Sequence, residues 1–314
     1  MTEDIQFNEY FISRIMNDFG YSINSSRLGL GCVTFGREID RKTAFTMMNH
    51  AYSMGINSFD TAAAYGEGSS ETIVGAWLGE NASARSSINI ATKILPPYDP
   101  VQVRLSVEES LNRLNTEIID ILYLHRWDKL LDTPEIWQIL DSLVKEGKVK
   151  ALGVSNFNSE QLANALNIQK ETGLCRLEYI QNNHNLAVND ITVEIKQICR
   201  DNDIRIITFS PLGAGFLTGK HQNGVQQGSR FAVMPAHQDI YFTEHSQKRL
   251  ARLLEIATRT GYSPEYLALA WATHQTGVYS VLVGGRSVSQ IDLAFGAGKF
   301  YSPEIFAELE NVII

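Results

Sequence analysis

The chain has 314 residues, 44% of them hydrophobic, 20% charged and 10% aromatic, and its 27 Lys and Arg against 35 Asp and Glu leave a formal net charge of −8. That apolar content excludes a disordered chain. The acidic balance, with no basic run, argues against sequence-independent nucleic-acid binding, which needs Lys and Arg to neutralise phosphates, but it leaves room for one local basic pocket.

The opening MTEDIQFNEY is acidic and lacks the apolar stretch of a signal peptide. No apolar run is long enough to span a bilayer. Three scattered cysteines, Cys32, Cys175 and Cys199, suit neither a disulfide framework nor a zinc knuckle and fit a reducing compartment. A cytoplasmic protein with no membrane partner is expected.

Residues 1–27 read as a short N-terminal hairpin or tail, with RIMNDFGYSINSSR as two short strands around a turn. Eight short apolar runs then follow, at 28–33, 56–60, 88–93, 118–125, 149–155, 177–181, 204–210 and 278–283. Amphipathic segments separate them. In DTPEIWQILDSLVKEGK, Thr133 is a candidate N-cap, Pro134 occupies the first helical position and Gly147 closes the helix. Ile136, Leu140, Leu143 and Val144 share one face of it. NSEQLANALNIQKETG repeats the design, with Asn158 or Ser159 capping and Gly173 at the end.

Strict alternation of strand and helix implies a parallel sheet with helices outside it, and eight units favour closure into a single (β/α)8 TIM barrel over 1–314. An open doubly wound sheet is the competing architecture, but no G-x-G-x-x-G follows the first strand. Residues 219–242 form the one long stretch without clear periodicity and are expected to be a functional loop over the mouth.

Five of the runs end in a polar group: Asp60, Lys93, His125, Ser155 with Asn156, and Gln181. They are separated by 33, 32, 30 and 26 residues. One βα unit is about 30 residues, so these groups recur once per unit and converge on the C-terminal mouth, where barrel enzymes hold their chemistry. Tyr65, five residues after Asp60, folds back over that mouth. A Lys beside a Tyr stabilises phenolate and lowers the Tyr pKa; Asp60 keeps Lys93 charged, and His125 hydrogen-bonds the oxygen that the Tyr serves. The set is a proton donor with no nucleophile. Asp60 and His125 as metal ligands are opposed by the charge of Lys93 between them, so no metal is expected.

The segments LGLGCVTFG (28–36), INSFDTAAAYGEGSSE (56–71), ATK (91–93), IDILYLHRWD (119–128), VKALGVSNF (149–157), FSPLGAGFLTGK (209–220) and GGRSVSQIDLAFGA (284–297) carry a resemblance to the aldo-keto reductase family, spanning about 14–297. The resemblance implies reduction of an aldehyde or ketone, or the reverse, with NADPH or possibly NADH as cofactor. It implies Tyr65 as proton donor, with Lys93, Asp60 and His125 completing a tetrad. It also implies that Ser155, Asn156 and Gln181 hold the nicotinamide amide, that Ser210, Leu212, Gly215 and Leu217 follow the ribose and pyrophosphate, and that Gly284, Arg286, Ser287 and Gln290 hold the adenosine end. Arg286 would meet a 2′-phosphate. QNNHN places His184 where the family has an aromatic ring against the nicotinamide, and Ala294 stands where an adenine-contacting Asn is usual. Cys32 reads as a small core residue.

Candidates for the substrate wall are Thr34, Phe35, Tyr98, Trp127, Arg230 and Phe231. The alternative is a nucleotide-sensing regulatory subunit on the same fold, as in the channel β-subunits that resemble this family. The intact tetrad favours the enzyme. Neither the substrate nor the choice between monomer and homo-oligomer follows from the sequence.

Overall fold

The computed structural model describes residues 25–311, so most of the expected N-terminal hairpin or tail lies outside the described residues. Each apolar run forms a strand: β1 (Leu28–Gly31), β2 (Ser58–Asp60), β3 (Asn89–Ile94), β4 (Ile119–Leu124), β5 (Val149–Ser155), β6 (Leu177–Asn183), β7 (Arg205–Phe209) and β8 (Val278–Gly284). All neighbours pair in parallel, and β1 pairs with β8 to close the barrel in chain order. β1 stops at Gly31, two residues before its expected end, because the chain turns there and Phe35 N–H donates to the Cys32 carbonyl at 3.1 Å.

The helices start where the sequence supplies a cap. α1 (Arg41–Ser53) begins behind Asp40, whose side chain accepts from the Thr43 N–H. α2 (Ser69–Glu80) follows a turn in which Gly66, Glu67 and Gly68 all have positive φ. α3 (Pro100–Leu114) and α4 (Pro134–Lys145) both carry Pro in the first turn, where a missing N–H removes no helical bond. α5 (Ser159–Thr172) opens with a capping box between Asn158 and Gln161 and ends on Gly173 in the left-handed region. α6 is Val193–Asp201. Two helices, α9 (Glu244–Thr260) and α10 (Pro264–Thr273), precede β8, and α11 (Val288–Gly298) and α12 (Pro303–Glu310) follow it.

Between β7 and α9 a 3-10 segment, Gly213–Thr218, comes first, and the expected loop over 219–242 then contains two short helices, α7 (Arg230–Val233) and α8 (His237–Tyr241). Its order comes from aromatic packing that periodicity does not reveal. Phe231 meets Phe242 at 5.0 Å and Tyr241 at 5.9 Å, and His221 meets Phe231 at 5.0 Å. Arg286 Nη1 donates to the Gly228 carbonyl at 2.9 Å, and Arg230 pairs with Glu38 at 3.4 Å. These contacts hold 219–242 across the loops that follow β1 and β8.

The outer core lies between strands and helices. A smaller inner core of Ala91, Ile121, Tyr123, Ala151, Tyr179, Ile207 and Leu282 fills the barrel. Gly153 makes that inner layer possible: a Cβ there would stand 2.4 Å from the Tyr123 ring. Gly153→Ala is therefore expected to displace Tyr123 and lower the unfolding free energy by about 1–3 kcal/mol. Chemical denaturation reads this, and an unchanged midpoint would count against it.

Candidate active site

The shared strand direction brings Asp60 at the end of β2, Lys93 near the end of β3, and His125 just past β4 to one mouth. Tyr65 reaches the same place from the β2–α2 loop, where its N–H donates to the Ala62 carbonyl at 3.0 Å. Lys93 Nζ donates to Asp60 Oδ1, to the Thr61 carbonyl at 2.9 Å and to Tyr65 Oη at 3.4 Å. The Tyr65 and His125 rings meet edge to face with centroids 5.9 Å apart. Asp60, Lys93, Tyr65 and His125 thus lie together at the mouth.

Its electrostatics differ from the sequence expectation in one respect. Burial pushes the Tyr65 phenol above its ordinary pKa; Lys93 pulls it back only in part, and Asp60 opposes that pull. Tyr65 is therefore held protonated rather than brought towards ionisation. Burial also works against the charge on Lys93, but Asp60 and Tyr65 outweigh it and raise the Lys93 pKa. Burial pushes the Asp60 carboxyl up while Lys93 and Gln181 stabilise its charge. His125 is lowered to about 3 by burial, Lys93 and Arg126, so its ring is neutral at ordinary pH. Its Nδ1 is buried with no hydrogen-bond partner among the described residues.

The residues expected to hold the nicotinamide amide join this network. Gln181 Nε2 donates to Asp60 Oδ2 at 2.7 Å, so Gln181 braces the carboxylate from across the barrel. Ser155 Oγ donates to the Gln181 carbonyl at 2.8 Å. Asn156, exposed and at φ 59°, donates to the His125 carbonyl at 2.9 Å and to Ser155 Oγ at 3.0 Å. The role of Gln181 on Asp60 was not legible in the sequence, because it spans 121 residues.

The remaining expectations divide. Ser210, at φ 56°, Leu212 and Gly215, at φ 95°, are half-buried along the segment that leaves β7. Leu217 is fully buried in the outer core, so its side chain does not line a groove. Gly284 ends β8 exposed, and Arg286, Ser287 and Gln290 surround the start of α11. Ser287 makes no side-chain cap there, while Gln290 Oε1 accepts from the Arg286 N–H at 2.6 Å. An uncapped helix start beside an exposed guanidinium fits a phosphate, so these residues suit a dinucleotide's anionic end. Ala294 and Cys32 are buried core residues.

Three wall candidates are corrected. Tyr98 is fully buried, its hydroxyl donating to the Ile94 and Arg126 carbonyls at 3.2 and 3.0 Å, so it clasps the ends of β3 and β4. Phe35 and Phe231 are likewise fully buried in the outer core. Thr34 donates to the Gly285 carbonyl at 2.8 Å and ties the β1 loop to the end of β8. Trp127 is half-buried against the outer core, and Arg230 is engaged with Glu38.

His184 is also corrected: it follows β6 on the side opposite Gln181, and its ring packs on Trp271 of α10 in the helical layer. The aromatic group that instead accompanies the inner core at the strand ends is Phe209, the half-buried last residue of β7. Its two-residue offset from inward-facing Ile207 was the available signal.

The buried pair carries a stability prediction. Asp60→Asn leaves Lys93 charged and uncompensated, with an expected loss of about 3–5 kcal/mol, whereas replacing both partners by Asp60→Asn with Lys93→Met recovers most of it. Urea denaturation of the two variants checks this, and equal losses would oppose it.

The aldo/keto reductase family model matches residues 27–314. Among similar proteins, an uncharacterized oxidoreductase, YrpG, of Bacillus subtilis is 29% identical, covering 85% of this chain and 85% of that protein. Protein tas of Escherichia coli is 28% identical over 93% of this chain and 95% of its own. Norsolorinic acid reductase B of Dothistroma septosporum is 31% identical over 86% of this chain and 73% of its own.

Proposed function

This chain belongs to the aldo/keto reductase family of oxidoreductases, and from that premise we propose that it reduces an aldehyde or ketone to an alcohol, or runs the reverse, with NADPH and with Tyr65 as the proton donor. The observation that carries this reading is the contact of Lys93 Nζ with both Asp60 and Tyr65 Oη beside a neutral His125. Bound nicotinamide supplies the hydride. The chain's own part is to receive the carbonyl oxygen and move a proton to it.

The neutral His125 ring offers a hydrogen bond to that oxygen without giving up a proton at ordinary pH. Tyr65, held protonated by burial, releases its proton only as negative charge develops on the substrate. Lys93 then stabilises the phenolate left behind, and Asp60, braced by Gln181, keeps Lys93 in place. In the oxidative direction the same groups accept the proton back. Ser155 and Asn156 stand at the nicotinamide side, with Phe209 as an aromatic platform there. Gly284, Arg286, Ser287 and Gln290 hold the adenosine end, and the segment from Ser210 through Leu212 and Gly215 runs between. The one named substrate among the relatives quoted, norsolorinic acid, belongs to that relative; a small carbonyl compound is the class proposed for this chain.

Tyr65→Phe is expected to lower kcat by about 10²–10⁴-fold while cofactor binding, read by fluorescence titration, survives. Near-normal turnover in that variant would remove Tyr65 from the reaction. A general acid works while protonated, and its contribution is lost as pH rises through its pKa. With the phenol raised and His125 lowered to about 3, reduction should stay flat from about pH 5 to about 8 and fall only in alkali. An inflection near 6.5 that disappears in His125→Gln would contradict the neutral His125. Arg286→Ala should weaken NADPH by roughly 10–100-fold and NADH far less. Equal losses would assign Arg286 only to its contact with Gly228.

A further inference from the structure

The His184 ring, absent from the mouth, has surroundings of its own. It is 3% exposed, lies 5.2 Å from the Trp271 ring, and lines a cavity of about 250 Å3 on the outside of the barrel. The cavity is bounded by the loop that follows β6, by α6, α9 and α10, and by Glu310 at the end of α12. It is large enough for several waters or one ring-sized molecule.

Among the described residues neither Nδ1 nor Nε2 of His184 makes a hydrogen bond of good geometry, although the side chains of Gln275 and Asn189 lie close enough to oppose weakly the lowering of its pKa. Buried polar atoms of this kind normally face a partner, so an orphaned ring turned into a cavity points to something that fills it. A second orphan belongs to the same lining. Arg249 of α9 uses Nη1 on the Leu309 and Glu310 carbonyls, at 3.3 and 2.7 Å, but its Nε is buried with no partner among the described residues.

The charges around the cavity are unequal. Lys196 of α6 forms no salt bridge among the described residues, and its charge joins burial in depressing the His184 pKa to about 4. Arg249 is the second permanent cation. Among the described residues the only carboxylate in the lining, Glu310, already accepts from Trp271 Nε1 at 2.9 Å and Gln275 Nε2 at 3.2 Å. Two cations therefore face one carboxylate that is already hydrogen-bonded, with His245 as a further nitrogen group at the exposed rim. The indole of Trp271 and the side chains of Leu186 and Val188 supply an apolar wall.

We infer that this cavity is a binding site for a small amphipathic anion, a carboxylate or a phosphate monoester, whose charged end meets Lys196, Arg249 Nε and His184 and whose apolar part lies on Trp271. The site is separate from the barrel mouth, and its ligand is neither the hydride donor nor the carbonyl substrate. The inference rests on the cavity and its orphaned donors, not on the proposed reduction.

The test follows the ring resonances of His184 in the full-length protein by 1H–15N NMR, identified by their loss in His184→Gln, during titration with benzoate and separately with phenyl phosphate. The expected result is a saturable shift with at least one probe, weakened about tenfold or more in Lys196→Glu, with Lys196→Gln intermediate and carbonyl turnover unchanged in both. A response to benzoate alone assigns a carboxylate ligand, and one to phenyl phosphate alone assigns a phosphate. Anion binding at Arg286 would leave His184 unmoved. The inference is overturned if neither probe shifts His184 at tens of millimolar, or if the Lys196 variants bind as the parent does.

Discussion

The ion pair between Asp60 and Lys93 is the interaction on which the rest of the mouth depends. Both side chains are almost fully removed from water, and two charges so placed are tolerated only when each finds further partners. Asp60 finds Gln181 from the far side of the barrel; Lys93 finds the Thr61 carbonyl and the Tyr65 hydroxyl. Gln181 comes from β6 and Lys93 from β3, while Thr61 and Tyr65 both come from the segment after β2. The pair therefore requires the barrel to close in register, and closure in turn fixes where Tyr65 and His125 stand.

That arrangement separates the protonation states of neighbouring groups. Burial first, and then the charge on Lys93, keeps His125 neutral, and the same charge tempers the burial-driven rise of the Tyr65 pKa. Burial and one cation thus leave a neutral ring beside a protonated phenol, the pair that the proposed reduction requires. Opposed shifts in adjacent groups are how a single pocket divides acid and donor roles. Metal chemistry is not needed to account for the set.

Side-chain amides tie the end of β6 to the elements beside it. Asn183 donates to Tyr241 Oη at 3.0 Å and Asn185 donates to the Ser210 carbonyl at 2.9 Å, so the loop after β6 is fastened to the segment that leaves β7. The outer cavity at His184 begins on that same loop. Across the mouth, Arg286 on Gly228 and Arg230 on Glu38 tether the 219–242 segment to the loops of β8 and β1. The mouth is framed by contacts between loops far apart in the chain.

The eight-unit barrel and the convergence of Asp60, Lys93 and His125 were legible because a repeat of about 30 residues with same-facing strand ends is a periodic property, and periodicity is written locally. Helix limits at Pro134, Asn158 and Gly173 were legible for the same reason, since caps act within a few residues. What the sequence did not disclose was direction and depth. Tyr98, Leu217 and Phe231 have the composition of pocket residues and lie in the core; His184 sits one step out of phase with Gln181 and faces the helices. Gln181 as a brace on Asp60, the net upward shift of Tyr65 and the aromatic order of 219–242 arise from groups distant in the chain. By itself, then, the sequence determined the element order, the barrel and which chemical groups reach its mouth. Only the tertiary structure decided which of them are buried, paired or neutral, because desolvation and hydrogen bonding depend on neighbours brought together by closure.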